Sequence, residues 1–294
     1  MNCPTTSNLQ IIKQEMILMK IGIIGLGLIG GSLAMSIRRH TEHTVFGYDT
    51  NPEVMLRAKA VEAIHDDLDA DTLPGCDVVL VALYPELCVE TIQKFADDFS
   101  PHALVIDCAG VKRYVCDRVE PIAAAHSWTY IGGHPMAGRE FSGFASARAN
   151  LFENASMILC PSSAVDIGTR ETAKAFFLEA GFKMVRFCTP EAHDQMIAYT
   201  SQLAHVVSGA YVKNPLSAQH KGFSAGSFLD MTRVARLNEN MWTELFLEND
   251  DLLLPALDDL IFRLNQYRDA LASRDPERLR PVLREGRERK EALD

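Results

Sequence analysis

The sequence predicts an α/β fold: a mainly parallel, doubly wound sheet followed by an all-helical domain. Three observations predict it. Short apolar runs alternate with helical stretches from residue 20 to about residue 188. A glycine-rich turn joins the first of these runs to the first helix. Beyond Thr189 and Pro190 strand signals stop, and helical periodicity takes over. Such alternation implies parallel strands joined by right-handed crossovers.

The elements follow in order. Lys20-Ile-Gly-Ile-Ile24 reads as a buried strand, and Leu33-Ala-Met-Ser-Ile-Arg-Arg39 as helix. Val45 to Tyr48 is a second strand ending at Asp49, and Asn51-Pro52 opens the next helix, with Pro where its missing N–H is tolerated. Val78 to Leu83 is a third strand, followed by a helical stretch to about Phe99. Ala103 to Ile106 is a fourth, ending at Asp107. Tyr130 to His134, Ala155 to Cys160 and Phe182 to Phe187 are further strands, the last after a helix closed by Gly181. The expected organisation is an extension at 1–18, a sheet domain at 19–188 and a helical domain at 189–294.

In the helical part, Met196, Tyr199, Leu203, Val206 and Ala210 step by three and four and mark one long helix. Leu253, Leu257, Leu260, Leu264, Tyr267 and Leu271 form a heptad-like seam, packed either in the chain's own core or against another subunit. Residues 275–293 are highly charged and read as a solvated terminal helix opened by Asp275-Pro276.

Composition narrows the function. The chain is 47% hydrophobic and 23% charged, enough apolar surface for a core. Its longest apolar run, Val78 to Tyr84, has seven residues, whereas a membrane-crossing helix needs about 20. With 29 Lys+Arg against 39 Asp+Glu the net charge is −10, which disfavours general nucleic-acid binding. An anionic substrate must therefore be met by locally placed Arg or Lys. Seven cysteines, an odd number without C-x-x-C spacing, argue against a disulfide framework or a zinc site and for a reduced cytoplasmic compartment.

Gly25-x-Gly27-x-x-Gly30 lies between a strand and a helix. The first glycine permits the tight turn, the second lets a diphosphate approach the backbone, and the third permits close helix–strand packing. Free N–H groups and the helix dipole then hold the diphosphate. This is the arrangement of a Rossmann-type dinucleotide domain, with Leu28 and Ile29 also expected against the cofactor. Asp49, at the end of the second strand, can accept hydrogen bonds from ribose hydroxyls and would repel a 2′-phosphate, so NAD is expected rather than NADP.

The densest unusual segment runs from Gly132 through His134 and Arg139-Glu140 to Gly143. His134 sits at a strand end, where active-site groups gather in doubly wound sheets. Its flanking glycines are expected to leave room for a substrate. Hydride transfer to nicotinamide needs a group that takes the hydroxyl proton, and imidazole, titrating near pH 6.5, suits that task.

With these motifs in view, the sequence resembles the prephenate dehydrogenase family over residues 19 to about 273. The resemblance is carried by Gly25 to Ala34, Asp107-Cys-Ala-Gly-Val-Lys112, Gly133-His-Pro-Met-Ala-Gly-Arg-Glu140, His193-Asp194, Ser201-Gln-Leu-Ala-His205, Asp230-Met-Thr-Arg233 and Met241-Trp242. It implies an N-terminal nucleotide domain and a C-terminal helical domain forming a homodimer. It implies NAD-dependent oxidative decarboxylation of prephenate to 4-hydroxyphenylpyruvate, on the route to tyrosine. It implies that His134 is the catalytic base and that Arg233 grips a substrate carboxylate. Glu140 falls at the pocket mouth, and Ser201, His205 and His193 at substrate-binding positions. Three departures stand out. Gly110 replaces the serine by which many relatives orient the histidine, which leaves a water or a backbone group to hold His134. Gln202 replaces a histidine. Arg139 replaces a small hydroxyl residue and could offer a second carboxylate contact.

Other readings stay open at this point. Arogenate differs from prephenate by an amino group in place of a keto group, so one contact could switch them. A 3-hydroxyacid dehydrogenase shares the two-domain plan but relies on a lysine, and neither Lys213 nor Lys221 sits in a suitable motif. A non-catalytic NAD sensor would not need His134 and Arg233 together.

Overall fold

A computed structural model describes residues 18–293, so all of the expected extension but Leu18 lies outside the described residues. Eight strands form one sheet: β1 (Lys20–Ile24), β2 (Thr44–Tyr48), β3 (Asp66–Asp67), β4 (Val78–Val81), β5 (Leu104–Asp107), β6 (Thr129–Pro135), β7 (Ser156–Pro161) and β8 (Met184–Phe187). Their spatial order is β3-β2-β1-β4-β5-β6-β7-β8. All neighbours are parallel except β6 and β7. That exception follows from the chain between them, which contains only a single 3-10 turn and no crossover helix.

Helices α1 (Leu28–His40), α2 (Pro52–Ala60), α3 (Pro85–Lys94), α4 (Arg113–Ala124) and α5 (Ile167–Glu179) cover the sheet. Neither α4 nor the two-residue β3 is among the elements expected from the sequence. Local signals fix several helix starts: Asn51 accepts from Glu53 N–H at 2.9 Å, and Asp166 from Thr169 N–H at 3.0 Å. Alternate side chains of β1 enter opposite layers. Ile21 and Ile23 join Leu33, Ile37, Phe176 and Phe177, while Ile24 joins Val79, Ile92, Val115 and Trp128.

The helical part begins with α6 (Pro190–Ile197), capped by Thr189 accepting from Ala192 N–H at 3.2 Å. One wide π-type turn, Ala198–Gln202, leads without a break into α7 (Leu203–Val212). Then follow α8 (Gly226–Thr232), α9 (Glu239–Leu247), α10 (Asp250–Ser273) and the solvated α11 (Pro276–Glu291). The helix is continuous as expected, but its inward face is not the expected apolar stripe. Met196 and Tyr199 are exposed; His193, Asp194, Ile197, Ala198 and Gln202 are buried. The extra residue of the π turn shifts the phase, and buried hydrogen bonds, rather than apolar burial alone, choose the face.

Among the described residues no helix is long and apolar enough to cross a membrane, and the six cysteines are free thiols.

Where α9 meets α3 and α4, Glu244 accepts the Glu86 backbone N–H, and one Glu248 carboxylate oxygen is buried without a partner. Burial, then repulsion from Glu244, pushes the Glu248 carboxyl up from 4.5 to about 8. The native state therefore holds a proton that the unfolded chain has released. This contribution to stability is full below pH 4.5 and is lost as pH rises through 8. Glu248→Gln is expected to raise Tm relative to the wild type at pH 9 but not at pH 4.5. Thermal denaturation at both values checks this, and an equal difference at the two would refute it.

Candidate active site

The carboxyl ends of β1 and β4 flank the point where strand order reverses, which is where ligands enter sheets of this kind. The glycine turn lies there. Gly25 has φ +87°, and a side chain on it would strike Ala82 O at 2.7 Å. At Gly30 a Cβ would lie 1.8 Å from Gly25 O, so only glycine lets α1 start so close to β1. Nothing lies within 4 Å of a Cβ at Gly27, which leaves open space beside the backbone where a diphosphate would sit. Leu28 and Ile29 line the same cleft. Gly30→Ala is expected to cost about 1–3 kcal/mol through overpacking and to weaken dinucleotide binding. Thermal denaturation and a cofactor titration check it; an unchanged Tm would mean the turn relaxes freely.

Asp49 sits at the end of β2. Its carboxylate accepts from Leu26 N–H at 2.9 Å and Asn51 N–H at 2.9 Å, which ties the glycine turn to the second strand. Each oxygen keeps a further acceptor site for a hydroxyl.

His134 lies near the end of β6, with its ring at the wall of a cavity. Of the flanking glycines, Gly132 and Gly133 make room for the fold and not for a substrate, whereas Gly138 lines the cavity with nothing within 4 Å of a Cβ position. A Cβ on Gly133 would meet Asp107 O at 2.4 Å, and one on Gly132 would meet Cys116 Sγ at 2.6 Å. His134 Nδ1 lies 2.8 Å from His193 Nε2, and His193 Nδ1 lies 2.7 Å from Asp194 Oδ1. Chemistry fixes the protons along this row. A carboxylate only accepts, so His193 carries its hydrogen on Nδ1 and accepts on Nε2. His134 must then donate from Nδ1, which leaves the Nε2 lone pair as the free base. Burial above all, with the Lys112 cation nearby, holds the His134 imidazole well below its ordinary 6.5. It is therefore neutral and ready to accept.

The expectation that a water or backbone group holds His134 is thus corrected: the side chain of His193 does. Gly110 offers no hydroxyl, and a Cβ there would press on Leu245 Cδ2 at 3.0 Å. His193, expected at a substrate-binding position, stands buried behind His134 and is not among the residues that line the cavity.

Asp194 anchors the row and joins the two domains. Burial alone would raise its carboxyl, but the His193 N–H and the backbone N–H groups of Arg113 and Lys112 outweigh this and hold it below the ordinary range. Those backbone groups, at the start of α4, donate at 2.7 Å from Lys112 and 2.9 Å from Arg113. The Arg113 guanidinium also reaches Asp194, Asn249 and, through two bonds, Asp251. Asn249 bonds Gln202, and Gln202 bonds Leu245 O, so Gln202 is a strut between helices. Beneath lies a fully buried Lys112–Asp107 pair, whose carboxylate also takes the Tyr130 hydroxyl at 2.7 Å and Gly133 N–H at 3.1 Å. Asp194, Arg113 and Asn249 are site residues that sequence patterns do not reveal; the adjacency of His193 and Asp194 is the one visible signal.

In front of His134 lies a cavity of about 670 Å³. The structure brings Arg139, Glu140, Ser201, His205 and Arg233 together on its wall, with Gln202, Arg236 and Trp242. His205 donates from Nδ1 to Ser201 O at 2.8 Å and lies against Trp242, ring centres 4.0 Å apart. Burial, then the charge of Arg233, lowers its pKa. Leu28, Ile29 and Gly110 line both this cavity and the adjoining cleft beside the glycine turn. A group held by the turn and a small molecule in the cavity can therefore meet next to His134.

Comparison with known proteins agrees with this arrangement. Residues 33–186 match the model for the prephenate dehydrogenase nucleotide-binding domain, and residues 189–285 that for the prephenate dehydrogenase dimerization domain. The chain is 30% identical over 266 residues to prephenate dehydrogenase of Bacillus subtilis (strain 168), covering 87% of this chain and 71% of that one. The crystal structure of prephenate dehydrogenase from A. aeolicus in complex with hydroxyphenyl propionate and NAD+ is similar at TM-score 0.84 and 27% identity, over 96% of this chain and 100% of that one. Synechocystis arogenate dehydrogenase is similar at TM-score 0.77 and 28% identity, over 94% and 100%. The chain belongs to the prephenate dehydrogenase family and is an oxidoreductase of that family.

Proposed function

We propose that this protein is an NAD-dependent prephenate dehydrogenase, converting prephenate to 4-hydroxyphenylpyruvate for tyrosine synthesis in the cytoplasm. The observation that carries the reading is the His134–His193–Asp194 row, which turns a basic nitrogen into a cavity shared by the glycine-turn cleft and Arg233. The open backbone at Gly27 and the Asp49 carboxylate suit a dinucleotide with free ribose hydroxyls. When bound, NAD supplies the hydride acceptor.

The chain's own residues do the rest. His134 Nε2 takes the proton of the C4 hydroxyl as that carbon gives up its hydride. The charge gained on His134 is shared through His193 with Asp194, which need not itself take the proton. The bond from C1 to the carboxylate then breaks, CO2 leaves, the released electron pair completes the aromatic ring, and the C4 oxygen takes its proton back from His134. Arg233 holds a carboxylate by its guanidinium fork.

A homodimer through the helical domain fits the exposure of Leu254 (55%), Ile261 (48%), Leu264 (57%) and Leu271 (61%) along one side of α10, apolar surface that a second subunit would cover.

The test is a spectrophotometric assay offering prephenate and arogenate, each with NAD or NADP. The expected result is strongest turnover with prephenate and NAD. Turnover of arogenate alone, or of neither, would overturn the proposal.

A further inference from the structure

Arg139, Arg233 and Arg236 all reach the cavity in front of His134, and Glu140 is the sole carboxylate among its lining residues. Among the described residues none of the three guanidiniums has a carboxylate partner. In an acidic protein, three guanidiniums without carboxylate partners gathered around one cavity mark a place reserved for negative charge.

They are not equivalent. Arg233 lines only the chamber that holds His134, Ser201 and His205. Arg139 and Arg236 line that chamber and the adjoining cleft, so they stand at the junction of the two. Arg236 is also held in place, its guanidinium 4.8 Å from the centre of the Phe141 ring. That contact clips the loop after β6 to the segment after α8, a platform that fixes the guanidinium without neutralising it.

We infer that Arg236, supported by Arg139, is the residue that sets this enzyme's preference for a dianionic 2-keto acid over its 2-amino counterpart. The inference rests on the function proposed above. Prephenate carries two carboxylates and no positive charge. Arogenate keeps both carboxylates and adds an ammonium group beside one of them. Three guanidiniums against one carboxylate leave two positive charges in excess, which match the dianion. An ammonium about 6 Å from a guanidinium meets repulsion equivalent to about tenfold or more in binding. The same surplus could instead serve the diphosphate of the cofactor, and the experiment separates the two.

Arg236→Gln and Arg236→Lys are prepared in the full-length protein. For each, kcat/KM is measured with prephenate and with arogenate, Kd for NAD by titration, and Tm by thermal denaturation. In Arg236→Gln the KM for prephenate should rise about tenfold, and the prephenate-to-arogenate ratio of kcat/KM should fall at least about tenfold. Kd for NAD and Tm should stay as in the wild type, and Arg236→Lys should recover most of the ratio. A ratio unmoved in a folded Arg236→Gln variant overturns the inference while leaving the proposed function intact. A raised Kd for NAD with an unchanged ratio assigns Arg236 to the cofactor and overturns it too. A wild type that turns over neither acid removes the function and the inference together. Arg233→Leu serves as comparison: it should raise KM for both acids alike.

Discussion

His134→Asn is expected to lower kcat at least about a hundredfold while dinucleotide affinity stays as in the wild type. Asparagine fills similar space and can still donate to His193, so the wall of the cavity survives. What it cannot do is take up a proton. The Nε2 lone pair is the one atom of the His134–His193–Asp194 row left free for the substrate hydroxyl. The glycine turn that holds the cofactor lies on β1 and α1, away from β6, which is why binding and chemistry should separate. The pH profile carries the same signature. Burial and the nearby Lys112 cation depress the His134 pKa, so the acid limb of kcat/KM for the wild type should lie below pH 6.5. Steady-state kinetics across pH and an NAD titration check both points. A variant with wild-type kcat would take His134 out of the reaction.

Asp194→Ala should strike chemistry and stability at once. In the wild type the carboxylate receives His193 Nδ1–H, the backbone N–H groups of Lys112 and Arg113, and the Arg113 guanidinium. Removing it strands these donors in a buried site, a loss of about 3–5 kcal/mol. At about 2–4 °C per kcal/mol for a protein approaching this size, Tm should fall by roughly 6–20 °C. The His193 ring also loses the acceptor that fixes its tautomer. Once Nδ1–H has no partner, the proton can settle on Nε2, which then faces His134 as a donor. His134 answers by carrying its own proton on Nε2, the position that must be empty. We expect kcat to fall about a hundredfold or more at temperatures where the variant is folded. Calorimetry reads the first effect, and kinetics with ¹⁵N imidazole shifts read the second. A loss of stability with no change in kcat or ring tautomer would make Asp194 a joint between domains and nothing more.

Part of this was legible in the sequence. Alternating strands and helices, the switch to helices after Pro190 and the glycine turn are local patterns, each set by residues within one or two turns of chain. His134 was legible because an imidazole between glycines at a strand end has few bland explanations beside a nucleotide motif. The helix at 190–212 was less legible, because hydrophobic spacing registers apolar side chains and not satisfied polar ones, and Met196 and Tyr199 are exposed. Nor do the glycines before His134 serve a substrate: Gly132 and Gly133 yield space to Cys116 and to the backbone of Asp107.

The sequence by itself determined the sheet and the dinucleotide turn and singled out His134 as the proposed proton acceptor, since each depends on propensity or chemistry within a short segment. Only the tertiary structure decided what aims that acceptor. Gly110 took away the expected hydroxyl, and Leu245 came to press on that position from a helix more than a hundred residues away. His193 and Asp194 took over because Lys112, Arg113 and Asn249 converge on them from two domains. A buried polar group is stable only when its partners are in place, and those partners are neighbours in space, not in sequence.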